Sequence, residues 1–191
     1  MKFSQLIGGV SAIVLMASSA QAAGLLDGDF SSPSGGGSFA TYASGTSMGP
    51  WTVTQGSIDL IGGYWQAPTA VGGSVDLDGY FSAGAISQSF ALGAGSYTLS
   101  FYLSGNPDGG SSLKSVQVSI GDALQTFTSD TSLMGNSHGD MRYVLQTLNF
   151  TTPGATTLSF TSLDDGSSAF GPVVGGVSLA AVPEPATWAL C

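Results

Sequence analysis

Chemistry in this sequence has to be assembled from few reactive groups: one imidazole, His138, one thiol, Cys191, and twelve carboxylates. His138 stands in Ser137-His138-Gly139-Asp140, a string that holds a hydroxyl, a base and an acid in order. Neighbours along an extended segment point to opposite faces, so this string cannot itself close into a Ser–His–Asp triad. The expectation is a solvated loop histidine. Asp76 and Asp78 lie two apart, hence on one strand face, and are the nearest thing to paired acids for glycoside hydrolysis. That reaction needs two groups held across a substrate, roughly 5 to 10 Å apart and commonly on different strands. Asp27, Asp29, Asp108, Asp164 and Asp165 sit in turn-like contexts, where such side chains bond nearby backbone. No Gly-rich phosphate loop precedes a helix, and no histidine cluster has metal spacing. No catalytic residue is assigned.

The aromatic residues point to binding instead. Trp51, Tyr64, Trp65 and Tyr80 fall at strand ends or in loops, among Gly, Pro and Ser. Sugar rings stack on exposed aromatic faces while amides and carboxylates bond their hydroxyls, a mixture typical of a polar-ligand pocket. Tyr64, Trp65 and Gln66, with Asp59, Asp78 and Asn106 as polar partners, form the expected ligand site. For Trp51 a buried packing role is favoured, since Trp is usually largely buried. The same alternative applies to Tyr80.

The elements that must position these groups are strands. In Tyr97–Ser104, Tyr97, Leu99, Phe101 and Leu103 share one face and Thr98, Ser100, Tyr102 and Ser104 the other. Val116, Val118 and Ile120 alternate likewise with Ser115, Gln117 and Ser119, and Leu158 and Phe160 with Thr157, Ser159 and Thr161. Further strands are expected over Leu25–Phe30, Trp51–Thr54, Ser57–Ile61, Ser74–Asp78, Ala85–Ala91, Leu124–Thr128, Val144–Thr151 and Val173–Ala180. Turn residues separate them at 93–95, 106–110, 152–154 and 164–166. No capped 3.6-residue pattern follows residue 22, so almost no helix is expected. About ten short strands with one polar face each describe an all-β, two-sheet sandwich, most economically a jelly roll, with a closed barrel as the alternative. The Gly- and Ser-rich stretch 31–50 is long enough to be either part of a site or mobile.

Composition narrows the partners. Lys2 and the apolar run Leu6–Ala17, ending at Ala20-Gln21-Ala22, have the form of a signal peptide over residues 1–22. The run is shorter than the roughly 20 apolar residues a membrane helix needs. Beyond it the only cations are Lys114 and Arg142, against all twelve carboxylates. Such a surface does not bind nucleic acid, whose affinity comes from clustered Lys and Arg. A single cysteine excludes an internal disulfide and a thiolate zinc site.

Two resemblances add to this. Pro183-Glu184-Pro185, followed by Ala186-Thr187-Trp188-Ala189-Leu190, resembles the start of a PEP-CTERM sorting signal over residues 182–191. That family's signal continues into an apolar helix and a basic cluster and is read by an exosortase in Gram-negative bacteria that make exopolysaccharide. Here the sequence stops at Cys191, so a truncated signal is expected. Across residues 25–179, the segments Gly49-Pro50-Trp51-Thr52-Val53, Gly56–Ile61, Ser74–Gly79, Gly84–Phe90, Leu103-Ser104-Gly105-Asn106-Pro107 and Phe170-Gly171-Pro172-Val173 occur in order. Together they resemble the choice-of-anchor C family of exported bacterial domains, related to a plant cell-wall domain. The resemblance implies a galactose-binding-like sandwich over residues 23–181, placed at the cell surface or outside the cell and associated with polysaccharide. Many galactose-binding-like domains also hold a structural calcium through acids or amides of the first and last strands. Here Ser31 follows Asp29-Phe30, and Gly175-Gly176-Val177 stands where related sequences often carry an acid. Calcium takes six to eight oxygens, so these two departures count against that site; a structural calcium held by some of Asp27, Asp29, Asp108, Asp164 and Asp165 stays open, and no other cofactor is expected.

The reading from sequence is therefore a non-catalytic polysaccharide-binding module. A structural matrix protein without specific sugar binding is the alternative, and a carboxylate hydrolase ranks last.

Overall fold

A computed structural model describes residues 24–80 and 82–183. The signal segment 1–22, and Glu184 and Pro185 of the sorting motif, lie outside the described residues. Alternation of apolar and hydroxyl side chains converts most of the chain into strands. The first are β1 (Phe39–Ala43), β2 (Ser47–Met48), β3 (Trp51–Gln55), β4 (Ser57–Ile61), β5 (Ser74–Asp76), β6 (Asp78–Gly79) and β7 (Ser82–Ala83). They are followed by β8 (Ala85–Phe90), β9 (Gly95–Gly105), β10 (Leu113–Ile120) and β11 (Ala123–Asp130). A single helical turn, α1 (Thr131–Met134), leads to β12 (Val144–Thr152), β13 (Thr156–Ser162) and β14 (Pro172–Ala181).

The front sheet runs β1-β4-β5-β14-β9-β12 and the back sheet β11-β10-β13-β8-β3-β2, while β6 and β7 make a small ribbon. Eight strands, β5, β8 and β9 to β14, can be numbered afresh in chain order. They lie 1-8-3-6 in front and 2-7-4-5 behind. That connectivity is a jelly roll. β4 and β1 extend the front sheet beyond β5, and β3 and β2 extend the back sheet beyond β8.

The two sheets meet over one apolar core. Phe101 of β9 packs edge-on against Phe127 of β11 and Phe160 of β13, at 5.2 and 5.1 Å between ring centres. Trp51 lies 6.2 Å from Phe160 and 5.3 Å from Phe30, fully buried, with its indole N–H donated to the Asp27 carbonyl. Burying each such side chain stabilises the fold by about 1.5–3 kcal/mol. Trp51 is thus a packing residue, whereas Tyr80 is 77% exposed.

Two expectations need correction. Leu25–Phe30 is no strand: Asp27 and Phe30 have positive φ, and the Asp27 carboxylate accepts the N–H groups of Ser31 and Ser32. This turn overrides the apolar pattern, and Gln88 tethers the segment by bonding both the N–H and the carbonyl of Leu26. The stretch 31–50 supplies β1 and β2, whose short length and glycine-rich flanks hide their alternation. Gly175 and Gly176, noted in the sequence as standing where an acid is often found, occupy a bulge in β14, where Gly176 has φ of 56°. A Cβ there would meet the Tyr102 ring at 2.8 Å, so the bulge explains these glycines.

Candidate functional site

β4 sends Ile58 and Leu60 into the core, and Asp59 and Ile61 to the outer face of the front sheet. Antiparallel register then lines up one outward row across five strands: Thr41, Asp59, Asp76, Val173 and Ser104. Asp59 and Asp76 are direct cross-strand neighbours in that row.

Two loop segments cover this face. Residues 62–73 bring Tyr64 and Trp65, and residues 135–143 bring His138, Met141 and Tyr143. Trp65, only 6% exposed, joins Ile61, Met141 and Val173 in a second apolar cluster and donates its indole N–H to Ser74 at 3.0 Å. Gln66 knits the two segments together. Its N–H bonds the His138 carbonyl at 2.8 Å, and its Oε1 accepts the Met141 N–H at 2.9 Å. Asn136 anchors the second segment to the sheet through the Ser104 hydroxyl and the Gly105 carbonyl.

Beside this cluster lies a pocket of about 130 Å³. Asp59, Asp76 and Asn106 form its polar lining; Phe39, Tyr64, Trp65 and Phe170 form its apolar walls; Asp108 completes it. Tyr64 is 37% exposed and packs edge-on to Phe39 at 5.5 Å and against His138 at 4.6 Å. Its hydroxyl donates to Asp108 Oδ2 at 3.1 Å, and His138 Nε2 lies 2.6 Å from Asp108 Oδ1. The Asp108 interaction raises the Tyr64 hydroxyl above the ordinary tyrosine range, so it stays protonated and can donate.

Asp76 is buried and fully engaged. It accepts the backbone N–H groups of Asp78 and Gly171 and, at 2.6 Å, the amide of Asn106. Burial nevertheless pushes its carboxyl well above the usual range. Burial also raises Asp59, while the Thr41 hydroxyl bonded to it pulls the other way. Gly171 has to be glycine here, because a Cβ would sit 2.5 Å from the Asp78 carboxyl carbon.

Of the six residues expected to bind ligand, four line the pocket: Asp59, Tyr64, Trp65 and Asn106. Gln66 is spent on holding the two loop segments together. Asp78 does not share a face with Asp76, because β5 ends at Asp76 and its carboxylate turns the chain by capping the Asp78 N–H. Asp78 is instead fully buried, and neither of its carboxylate oxygens has a partner at full hydrogen-bond geometry. Burial pushes it up to about 6, with the Ser162 hydroxyl and then Lys114 opposing the rise and Asp164 and Asp165 adding to it. Lys114 is itself buried and donates to the carbonyls of Gly109 and Phe170.

Asp76, weighed only as a paired acid, was missed as a ligand residue, as were Asp108, Phe39 and Phe170. The turn 106–110 was the one local signal near Asp108; the other three arrive through long-range pairing. His138, expected as a solvated loop residue, lies in an exposed loop but is tied to Asp108 rather than to its neighbour Asp140. Among the described residues, no three His, Cys, Asp or Glu side chains come together as a metal-binding group.

The chain matches no protein-family model and no curated protein sequence. Among solved structures it is similar to a family 35 carbohydrate-binding module from Clostridium thermocellum, at 15% identity over 75% of this chain and 92% of that one, TM-score 0.42. It is similar also to a structure described as "CBM4 structure and function", at 14% identity over 82% of this chain and 99% of that one, TM-score 0.45. A third, TmCBM61 in complex with beta-1,4-galactotriose, is 11% identical over 83% of this chain and 97% of that one, TM-score 0.44.

Proposed function

We propose that this chain is a non-catalytic module that holds a neutral sugar residue of an extracellular polysaccharide in the pocket on the front sheet. The pocket, rather than the likeness to carbohydrate-binding modules, carries this reading. Aromatic walls from Tyr64, Phe39 and Phe170 offer a stacking surface, and Asp59, Asn106 and Asp108 offer partners for hydroxyls. A volume of about 130 Å³ is well below that of drug-sized sites, so one ring or chain end enters rather than a long stretch of polymer. The three pocket carboxylates have no cationic side chain among the lining residues, which disfavours uronic acid or sulfated sugars.

Catalysis is not part of the proposal. Asp76 has its oxygens taken by three donors and Asp108 is bonded to Tyr64 and His138, so no second unengaged carboxyl stands across a substrate from Asp59. The exported location, the Gram-negative source, the choice-of-anchor C membership, the exosortase partner and the sorting role of Pro183, Glu184 and Pro185 belong to the same proposal and rest on the resemblances in the sequence. Glycan-array binding tests it: neutral oligosaccharides are expected to bind and acidic ones not. Uniform silence on the array, from folded protein, would contradict it.

A further inference from the structure

Both sheets end on one flank in their longest edges. β12 closes the front sheet with nine residues and β11 closes the back sheet with eight. The opposite flank ends in β1, with five residues, and β2, with two. Proteins commonly blunt exposed edges with lysine, proline, a bulge or a covering segment. β12 has neither proline nor any charged residue, and its register with β9 runs unbroken from Val144 to Thr152.

Its open hydrogen-bonding groups can be assigned. Thr151 turns its N–H and carbonyl away from β9, to the carboxylate and the N–H of Asp122 at 2.7 and 3.3 Å. In an antiparallel ladder alternate residues share this orientation, so Leu145, Thr147 and Asn149 also present theirs to the open side. Asp122 thus stops the edge at one end, while the other end carries the exposed side chains of Val144 and Leu145.

We propose that β12 pairs antiparallel with β12 of a second copy about a two-fold axis at Thr147, fusing two front sheets into one. In that register Thr147 faces its own copy, Leu145 faces Asn149 and Val144 faces Phe150. Thr–Thr and β-branched–aromatic cross-strand pairs are both favourable. The strand complements itself: although the chain carries a net charge of −9, β12 holds no charged residue, so two copies meeting along it oppose no like charges within the ladder. A two-fold interface asks only that the strand complement itself.

Sedimentation equilibrium of the wild type, Thr147→Pro and Leu145→Lys tests this. Proline at 147 removes an N–H that points away from β9, so the ladder within the chain stays whole. The expected result is a wild-type mass that doubles with concentration while both variants stay at one-chain mass, each with an unchanged circular-dichroism spectrum. Should Thr147→Pro fail to fold, Leu145→Lys decides alone. A wild type of one-chain mass throughout, or a dimer that survives the folded variants, overturns the proposal. Sugar affinity is expected to be equal in all three, so this outcome is independent of the pocket.

Discussion

Tyr64 and His138 pack 4.6 Å apart and divide one carboxylate between them, each holding a different oxygen of Asp108. Three chain segments, around residues 64, 108 and 138, are fastened at that point, and the tyrosine ring is fixed as a wall of the pocket. The arrangement is exposed enough to contribute little to stability, yet it sets the Tyr64 face that, with Phe39 and Phe170, walls the pocket.

Asp108→Ala should therefore act on binding rather than on folding. Losing the hydrogen bond to a charged partner frees the Tyr64 ring, and sugar affinity is expected to fall about tenfold, near 1.4 kcal/mol. Calorimetric titration beside a thermal melt checks this. An unchanged affinity would separate Asp108 from the site.

Adjacent aromatics should split cleanly. Trp65→Ala empties a buried volume and orphans the Ser74 hydroxyl, costing about 3–5 kcal/mol of stability. Tyr64→Ala should cost no more than about 1 kcal/mol of stability, since the ring is partly solvated. Denaturant unfolding of both variants measures the difference, and equal losses would mean that both rings are packing.

How far the sequence foretold this architecture depends on the range of the interactions. Ser57–Ile61 was bounded correctly from alternation alone, as were the apolar faces of β9, β10 and β13, because a strand with one wet face writes its period locally. The pairing of Asp59 with Asp76 is different. It depends on the register between strands separated by the twelve-residue stretch 62–73, which no local pattern encodes. Asp78 was misplaced because a side-chain cap ended the strand at Asp76, two residues before the expected end at Asp78. Gln66 was assigned to ligand because an amide beside aromatics suits a sugar, yet the same amide suits a backbone N–H with no strand partner.

Acidity should show in stability. Asp78 titrates near 6 in the folded chain against an ordinary 3.8, so the folded state holds its proton longer than the unfolded state does. The stabilisation is complete below the unfolded value and is lost as pH rises through about 6, amounting to about 3 kcal/mol. Burial raises Asp76 in the same direction. Urea unfolding between about pH 4 and 7.5 should show a shallower loss for Asp78→Asn than for the wild type. Identical slopes would mean that Asp78 ionises freely.

Gly171→Ala places a methyl group against the Asp78 carboxyl and strains the N–H bond to Asp76. A loss of about 1–3 kcal/mol is expected, together with weaker sugar binding, because Phe170 forms the adjoining wall. Full stability in this variant would show that the segment adjusts freely.

The most direct test of the account is affinity electrophoresis of the chain through gels containing neutral polysaccharides, with Tyr64→Ala run beside it. Retardation of the wild type, lost in a folded Tyr64→Ala, is the predicted result and places the sugar against that ring. Retardation that Tyr64→Ala retains in full would contradict the assignment of the pocket, and no retardation in any neutral polysaccharide would contradict sugar binding itself.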